Sequence, residues 1–331
     1  MISISFTPLS HEIKKRLSYF PTWQFSSDIE PPWHIGELMT EIGRNPISRA
    51  APQENNSPYY AQMDTGILWK FGIDEKPVSI LVSCKANMRK SQNLSPRIWS
   101  GKHPSRSFYK ITQDLYISTP EATFLQLGNE LSLIQLITVG YELCGSYGLS
   151  VQSSNGFLRR EPRSNPQLIE RYLEKCEGIH GVKATKRASS YLVKRSASPM
   201  ESLLSMLLCL PPSLGGFGLP RPELNYPIET NEGSVAMRRC DLCWPDQQFA
   251  LEYDSDTFHS DASKLHLDSS RRSALEKAGV HVVSVTKNQV FDRGQLFNLA
   301  TIASKRLGKR LSPTPFNFAQ KQDEIYQAVF E

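Results

Sequence analysis

Several things are scarce in this chain, and each shortage removes a class of function. No apolar run approaches the 18 or so residues that a membrane helix needs, so no membrane span is expected. The opening Met1–Phe6 passes into His11, Lys14, Lys15 and Arg16 without an apolar core or a cleavage site, so no secretion signal is read there. Cysteine is sparse, six in 331 residues. Cys84, Cys144, Cys176 and Cys209 stand in apolar surroundings and read as small buried hydrophobes. Cys240 and Cys243 form a lone CxxC, with no second CxxC and no HxxxH to complete a zinc set. Strand alternation also aims those two thiols at opposite faces. A reducing, cytoplasmic setting fits this usage. There is no internal repeat and no low-complexity tract.

What is present is enough to build a core. Hydrophobic residues make up 39% and charged residues 21%, and the length predicts two domains or three. The net charge of +5 permits an anionic partner without demanding one. Residues 1–58 read as an irregular segment broken by Pro31-Pro32 and Asn55-Asn56-Ser57-Pro58, with a helical turn at Leu38–Ile42. Residues 59–150 read as a small α+β domain, with strands at 78–83, 107–112 and 115–118. Thr119-Pro120-Glu121 opens one helix whose apolar spacing runs through Phe124, Leu127, Leu131, Ile134, Ile137 and Tyr141. Residues 151–195 form a basic connector, with a loop carrying Arg159, Arg160 and Arg163. Helices follow at 167–176 and 182–195, the second carrying Lys183, Lys186, Arg187, Lys194 and Arg195.

Residues 196–310 carry the chemistry, and 311–331 are a tail. Ser198-Pro199-Met200-Glu201 opens a helix with a capping box. A strand at 224–228 precedes two apolar runs, one carrying Asp241 and the other Glu252 and Asp254, separated by the turn Pro245-Asp246-Gln247-Gln248. A helix at 260–277, a buried strand at 280–285 and a helix at 292–307 complete the order. This order predicts an α/β mixed sheet flanked by helices, its last strand parallel to the second strand of the hairpin through a right-handed crossover. The hairpin brings Asp241 beside Glu252 and Asp254, which share a strand face roughly 7 Å apart. One like-charged pair at about 4 Å costs on the order of 4 kcal/mol at an effective dielectric near 20. Such a site is neutralised by a divalent cation or a proton.

With these acids in this order, residues 196–307 resemble the very-short-patch-repair-like endonuclease domains of the PD-(D/E)XK superfamily. The matching residues are Glu201, Asp241, Glu252-Tyr253-Asp254, His259, Asp268-Ser269-Ser270-Arg271-Arg272 and Gly279-Val280-His281-Val282. Two positions depart from the pattern: Ser255 stands where Gly is usual, and Asp254 stands where an ExK motif carries Lys. Residues 100–148, with their strand pair, Ser118-Thr119-Pro120-Glu121 and apolar helix, are similar to AbiEi-type antitoxin and regulator proteins. The two resemblances imply a restriction-endonuclease-like fold and a bacterial chain of phage defence or mobile elements.

The expected activity is Mg²⁺- or Mn²⁺-dependent hydrolysis of nucleic-acid phosphodiesters, with DNA the expected substrate. Asp241, Glu252 and Asp254 are the candidate metal ligands. Glu201 is either a further acid of the site or simply the partner of Ser198 in the capping box. His259 is the candidate proton shuttle, whereas His266 reads as solvated. Arg271, Arg272, Arg159, Arg160, Lys183, Lys186 and Arg187 are candidate phosphate contacts. Asp268 and Arg272 can equally form a helical ion pair, and Trp244 and Tyr253 are expected to pack on the far face of the sheet. The alternative is a nuclease fold without catalysis, binding nucleic acid or a protein partner as a regulator or toxin–antitoxin component.

Overall fold

The computed structural model describes residues 2–4, 78–82, 94–98, 104–110, 115–150, 153–230, 237–254 and 273–330. The turn expected at 38–42, most of the helix expected at 260–277, and Cys84, His259, His266, Asp268, Arg271 and Arg272 lie outside the described residues. The chain divides into two compact units, the first holding residues up to Val139 with 151–154 and 164–190, the second holding 140–150, 155–163 and 191 onward.

The first unit contains a five-stranded sheet of β1 (Ile2–Ile4), β2 (Val78–Val82), β3 (Leu94–Ile98), β4 (Phe108–Lys110) and β5 (Leu115–Ser118), in the order β3-β2-β1-β5-β4. Thr119 caps α1 (Pro120–Leu127) by accepting from the Ala122 amide. The apolar period that predicts one helix through Tyr141 is split into two, because α2 (Leu133–Cys144) starts afresh. Ser132 and Gln135 exchange side-chain to amide bonds across its first turn, 3.0 and 3.3 Å long. Gly128 ends α1 where a Cβ would come within 2.6 Å of the Gly181 carbonyl oxygen. α3 (Pro166–Glu174), capped by Asn165, and α4 (Val182–Ser189) pack against each other and against α1. The helix expected over 182–195 therefore stops early. Ser189 and Ser190 turn their hydroxyls back onto the Lys186 and Arg187 carbonyls, and Arg195 has a left-handed backbone at φ 71°.

The second unit begins within α2. Its first strands, β6 (Tyr147–Leu149) and β7 (Phe157–Arg159), form an antiparallel pair. α5 (Pro199–Cys209) is buried along nearly its whole length. The main sheet holds β8 (Glu223–Glu229), β9 (Met237–Trp244), β10 (Phe249–Asp254) and β11 (His281–Thr286), in the order β11-β10-β9-β8. β10 runs antiparallel to β9 and parallel to β11, so the sheet is mixed, as the element order predicts. Residues 249–251 are buried at the sheet centre, whereas Glu252 and Tyr253 are half-buried and Asp254 is exposed. Thr286 and Gln289 make the capping box of a short α6 (Lys287–Phe291), and Asp292 caps α7 (Arg293–Arg306). The expected tail contains α8 (Phe318–Phe330), which packs on α5. No helix among the described residues is long and apolar enough to cross a membrane.

Buried hydroxyls tie the unit together. Tyr141 meets Ser205 at 2.9 Å, and Tyr147 meets Ser202 at 2.9 Å, with Ser202 in turn 2.8 Å from Ser196. Arg160 also points inward, donating to the carbonyls of Glu142 and Glu161 and lying 3.8 Å from the Glu142 carboxylate. Both side chains are only about a fifth exposed. Burial raises the Glu142 carboxyl above its usual range, and Arg160 opposes that rise. Arg160→Ala would leave a largely buried acid without its cation. It should lower unfolding stability by about 3 kcal/mol in urea titrations. Adding Glu142→Gln to that variant should restore part of the loss, an outcome a merely exposed Arg160 would not give.

Candidate active site at Asp241 and Glu201

The turn between β9 and β10 is set by Pro245–Gln247, a 3-10 turn, and by Gln248, whose φ of 47° closes it. Trp244 and Phe249 stack across the turn with ring centroids 5.5 Å apart, and the Trp244 indole donates to the Pro220 carbonyl at 2.8 Å. The pairing Phe249–Trp244, Ala250–Cys243, Leu251–Leu242 then brings Asp241 to the level of Glu252. There a side chain takes part in joining the strands. The Tyr253 amide donates to Asp241 Oδ2 at 2.8 Å. The Asp241 carboxylate thus lies against the Glu252-Tyr253-Asp254 segment.

On its other side β9 pairs with β8, and this ladder skips one level: Leu224 faces Leu242 and Tyr226 faces Cys240, but Asn225 and Asp241 do not pair. Asn225 has a left-handed backbone at φ 49°, which Asn tolerates better than most residues. Its side-chain amide donates to the Arg195 carbonyl at 2.9 Å and to Glu201 Oε2 at 2.6 Å. Asn225 was not expected from the sequence. Its signal there is a strand-averse residue in the middle of Leu224–Ile228. Alternation aims Cys240 and Cys243 at opposite faces, yet both sit in one buried cluster with Ala250, Leu275, Val280 and Val282. The Cys240 thiol bonds Cys243 and holds its thiol below the usual range.

Glu201 serves the cap and also faces the site. Its amide donates to Ser198 Oγ, while its Oε1 accepts from that hydroxyl at 2.9 Å and its Oε2 accepts from the Ala197 amide at 2.8 Å. Burial first, and the Asp241 charge second, push its carboxyl up to about 7, against the pull of those hydrogen bonds. Glu201 and Asp241 are therefore electrostatic neighbours. Among the described residues, no group of three or more His, Cys, Asp and Glu side chains is arranged to hold a metal ion. The phosphate-contact candidates are placed as follows. Arg159 is exposed on β7, Arg160 is committed inward, and Lys183, Lys186 and Arg187 are exposed on α4 in the first unit.

The sign of the Glu201 shift gives a pH dependence. The folded state holds this proton more tightly than the unfolded chain, whose carboxyl titrates near 4.5. The stabilisation is therefore complete below that value and lost as pH rises through about 7. Glu201→Gln can keep the geometry, with its oxygen toward Ala197 and Asn225 and its amide toward Ser198. Wild type should thus lose stability relative to this variant between pH 5 and 8, by on the order of 3 kcal/mol. Urea midpoints at several pH values measure it, and parallel wild-type and variant curves would exclude a shifted Glu201.

No family model matches the chain, and no solved structure matches it. Two Mycobacterium tuberculosis relatives, Uncharacterized protein Rv2248 of strain H37Rv and Uncharacterized protein MT2308 of strain CDC 1551 / Oshkosh, are each similar to it. Each is 30% identical over 122 residues, 37% of this chain. The matched part spans 42% of those proteins.

Proposed function

We propose that this chain is a metal-dependent phosphodiesterase of nucleic acid, with DNA its expected substrate, built on a PD-(D/E)XK-like sheet. One observation carries the reading: Asp241 bonds the amide between Glu252 and Asp254 while its charge raises the Glu201 carboxyl. The element order α5, β8, β9, β10, β11, α7 and the parallel β10–β11 pair agree with that fold.

The donors are carboxylate oxygens, the hard ligands that Mg²⁺ and Mn²⁺ take, and a cation here would relieve the repulsion between Glu201 and Asp241. Asp241, with Glu252 and Asp254, would hold the ion, which supplies an activated water and offsets charge on the phosphate. Asp241 also fixes β10 through the Tyr253 amide, so it orients its fellow acids. Without a cation, burial and the Asp241 charge hold the Glu201 carboxyl at about 7, and a bound cation would lower it. The resemblance to the endonuclease family assigns proton transfer at the phosphate to His259.

A second reading rests on its own observations. Three hydrogen bonds already engage the Glu201 oxygens, the described residues contain no three-membered metal cluster, and Asp254 replaces the usual Lys. On this reading the fold binds nucleic acid or a protein partner without cutting.

Supercoiled plasmid and single-stranded DNA incubated with Mg²⁺ or Mn²⁺ separate the two readings. The phosphodiesterase should cleave, and Asp241→Ala should reduce cleavage to background. Calorimetry should show metal binding that Asp241→Asn abolishes. Cleavage that survives Asp241→Ala removes this site from consideration. Salt-sensitive DNA binding without any metal heat favours the binding module.

A further inference from the structure

The first unit carries a charged surface of its own on α4. On α4, Val182, Thr185, Ala188 and Ser189 are buried, while Lys183, Lys186, Arg187 and the capping Ser190 just past its end are exposed. The exposed positions follow i, i+3, i+4 and i+7, which is one helical face. Eight residues, Val-Lys-Ala-Thr-Lys-Arg-Ala-Ser, contain three cations and no acid, so nothing within the helix can neutralise them. None of the three cations forms an ion pair among the described residues. The neighbouring α3 is different, with exposed Glu170 and Glu174 interleaved with Arg171. Of these two helices, α4 is the one that presents cations without acids.

We propose that this face of α4 docks on duplex DNA by entering the major groove and holding its phosphates. A helix of eight residues is about 12 Å long and 10–12 Å across, and the major groove of B-DNA is about 12 Å wide. Long cationic side chains on neighbouring turns lie about 5–6 Å apart at Cβ and can fan out to successive phosphates on the groove walls. Duplex RNA is a poorer fit, because its major groove is too deep and narrow for a helix. The absence of acids matters as much as the three cations, since a single carboxylate on this face would meet phosphate at close range. Rigid packing of the buried side against α1 and α3 keeps the face formed before any partner arrives.

This inference goes beyond the phosphodiesterase reading and does not depend on it. It is tested with the full chain in EDTA, by fluorescence anisotropy with a labelled 20-base-pair DNA duplex across a salt series. Wild type should bind with an affinity that falls steeply as salt rises. Lys183→Ala/Lys186→Ala/Arg187→Ala should bind at least about tenfold more weakly and lose about 2.7 from the log–log salt slope, roughly 0.9 for each phosphate contact. Arg187→Lys, which keeps the charge, should keep the slope. Lys305→Ala/Arg306→Ala/Lys309→Ala removes the same charge from exposed positions at the end of α7 and should bind as wild type does. EDTA keeps any metal at the carboxylate site out of the measurement, so a failure of the phosphodiesterase reading leaves this result readable. Should the alanine triple not fold by circular dichroism, the glutamine triple at the same positions takes its place.

The proposal is overturned if wild type does not bind the duplex. It is also overturned if the α4 triple keeps affinity and slope, or if the α7 triple loses as much. Tighter binding to single-stranded DNA or to duplex RNA overturns the groove-docking arrangement.

Discussion

Two neighbouring carboxylates, Glu201 and Asp241, set the main electrostatic constraint at the candidate site. Glu201 sits on a helix buried along nearly its whole length, and Asp241 sits on a strand of the central sheet. Proteins seldom keep two acids within range of each other where water is scarce. Here the arrangement is held by donors supplied locally. Ala197, Ser198 and Asn225 serve Glu201, and the Tyr253 amide serves Asp241. Those bonds moderate the mutual repulsion without removing it, and Glu201 remains poised near neutrality. An arrangement that only stabilised the fold would gain from an apolar pair of the same volume.

Asn225 links this electrostatic feature to the sheet. A left-handed residue inside a strand is a local strain, and such outliers gather at functional sites. At its level the β8–β9 register skips one pair, and the Asp241 side chain reaches β10. That one level thus carries both the Asp241 bond to Tyr253 and the approach of Asn225 to Glu201.

Periodicity made the sheet legible in the sequence. The strand at 280–285 and its parallel partner follow from an apolar run placed after a helix, and the β9–β10 turn follows from Pro245 and the two apolar runs around it. What periodicity cannot supply is a helix break within a continuing apolar pattern. Residues 119–141 keep their spacing across Gly128–Ser132, and only the close approach of Gly181 and the Ser132–Gln135 exchange divide α1 from α2. The inward turn of Arg160 was equally hidden, because a basic loop has the same composition whether its arginine meets solvent or a buried acid. At the candidate site the acids themselves were legible, since Glu201, Asp241 and Glu252 sit inside apolar elements. Asn225 was not, because its role arises from a backbone dihedral that side-chain patterns do not encode.

The hydroxyl bonds of Tyr141 and Tyr147 bear on how this protein can be dissected. Both tyrosines precede residue 196, where the C-terminal domain expected from the sequence begins, yet they donate to or accept from Ser205 and Ser202 on α5. Gly140 also leaves no room for a Cβ beside Leu192. An excised fragment starting at 196 would strip two aromatic walls from its central helix and strand two serines in an apolar surface. A workable minimal piece must therefore begin upstream of Gly140, so that its own lid of tyrosines travels with it.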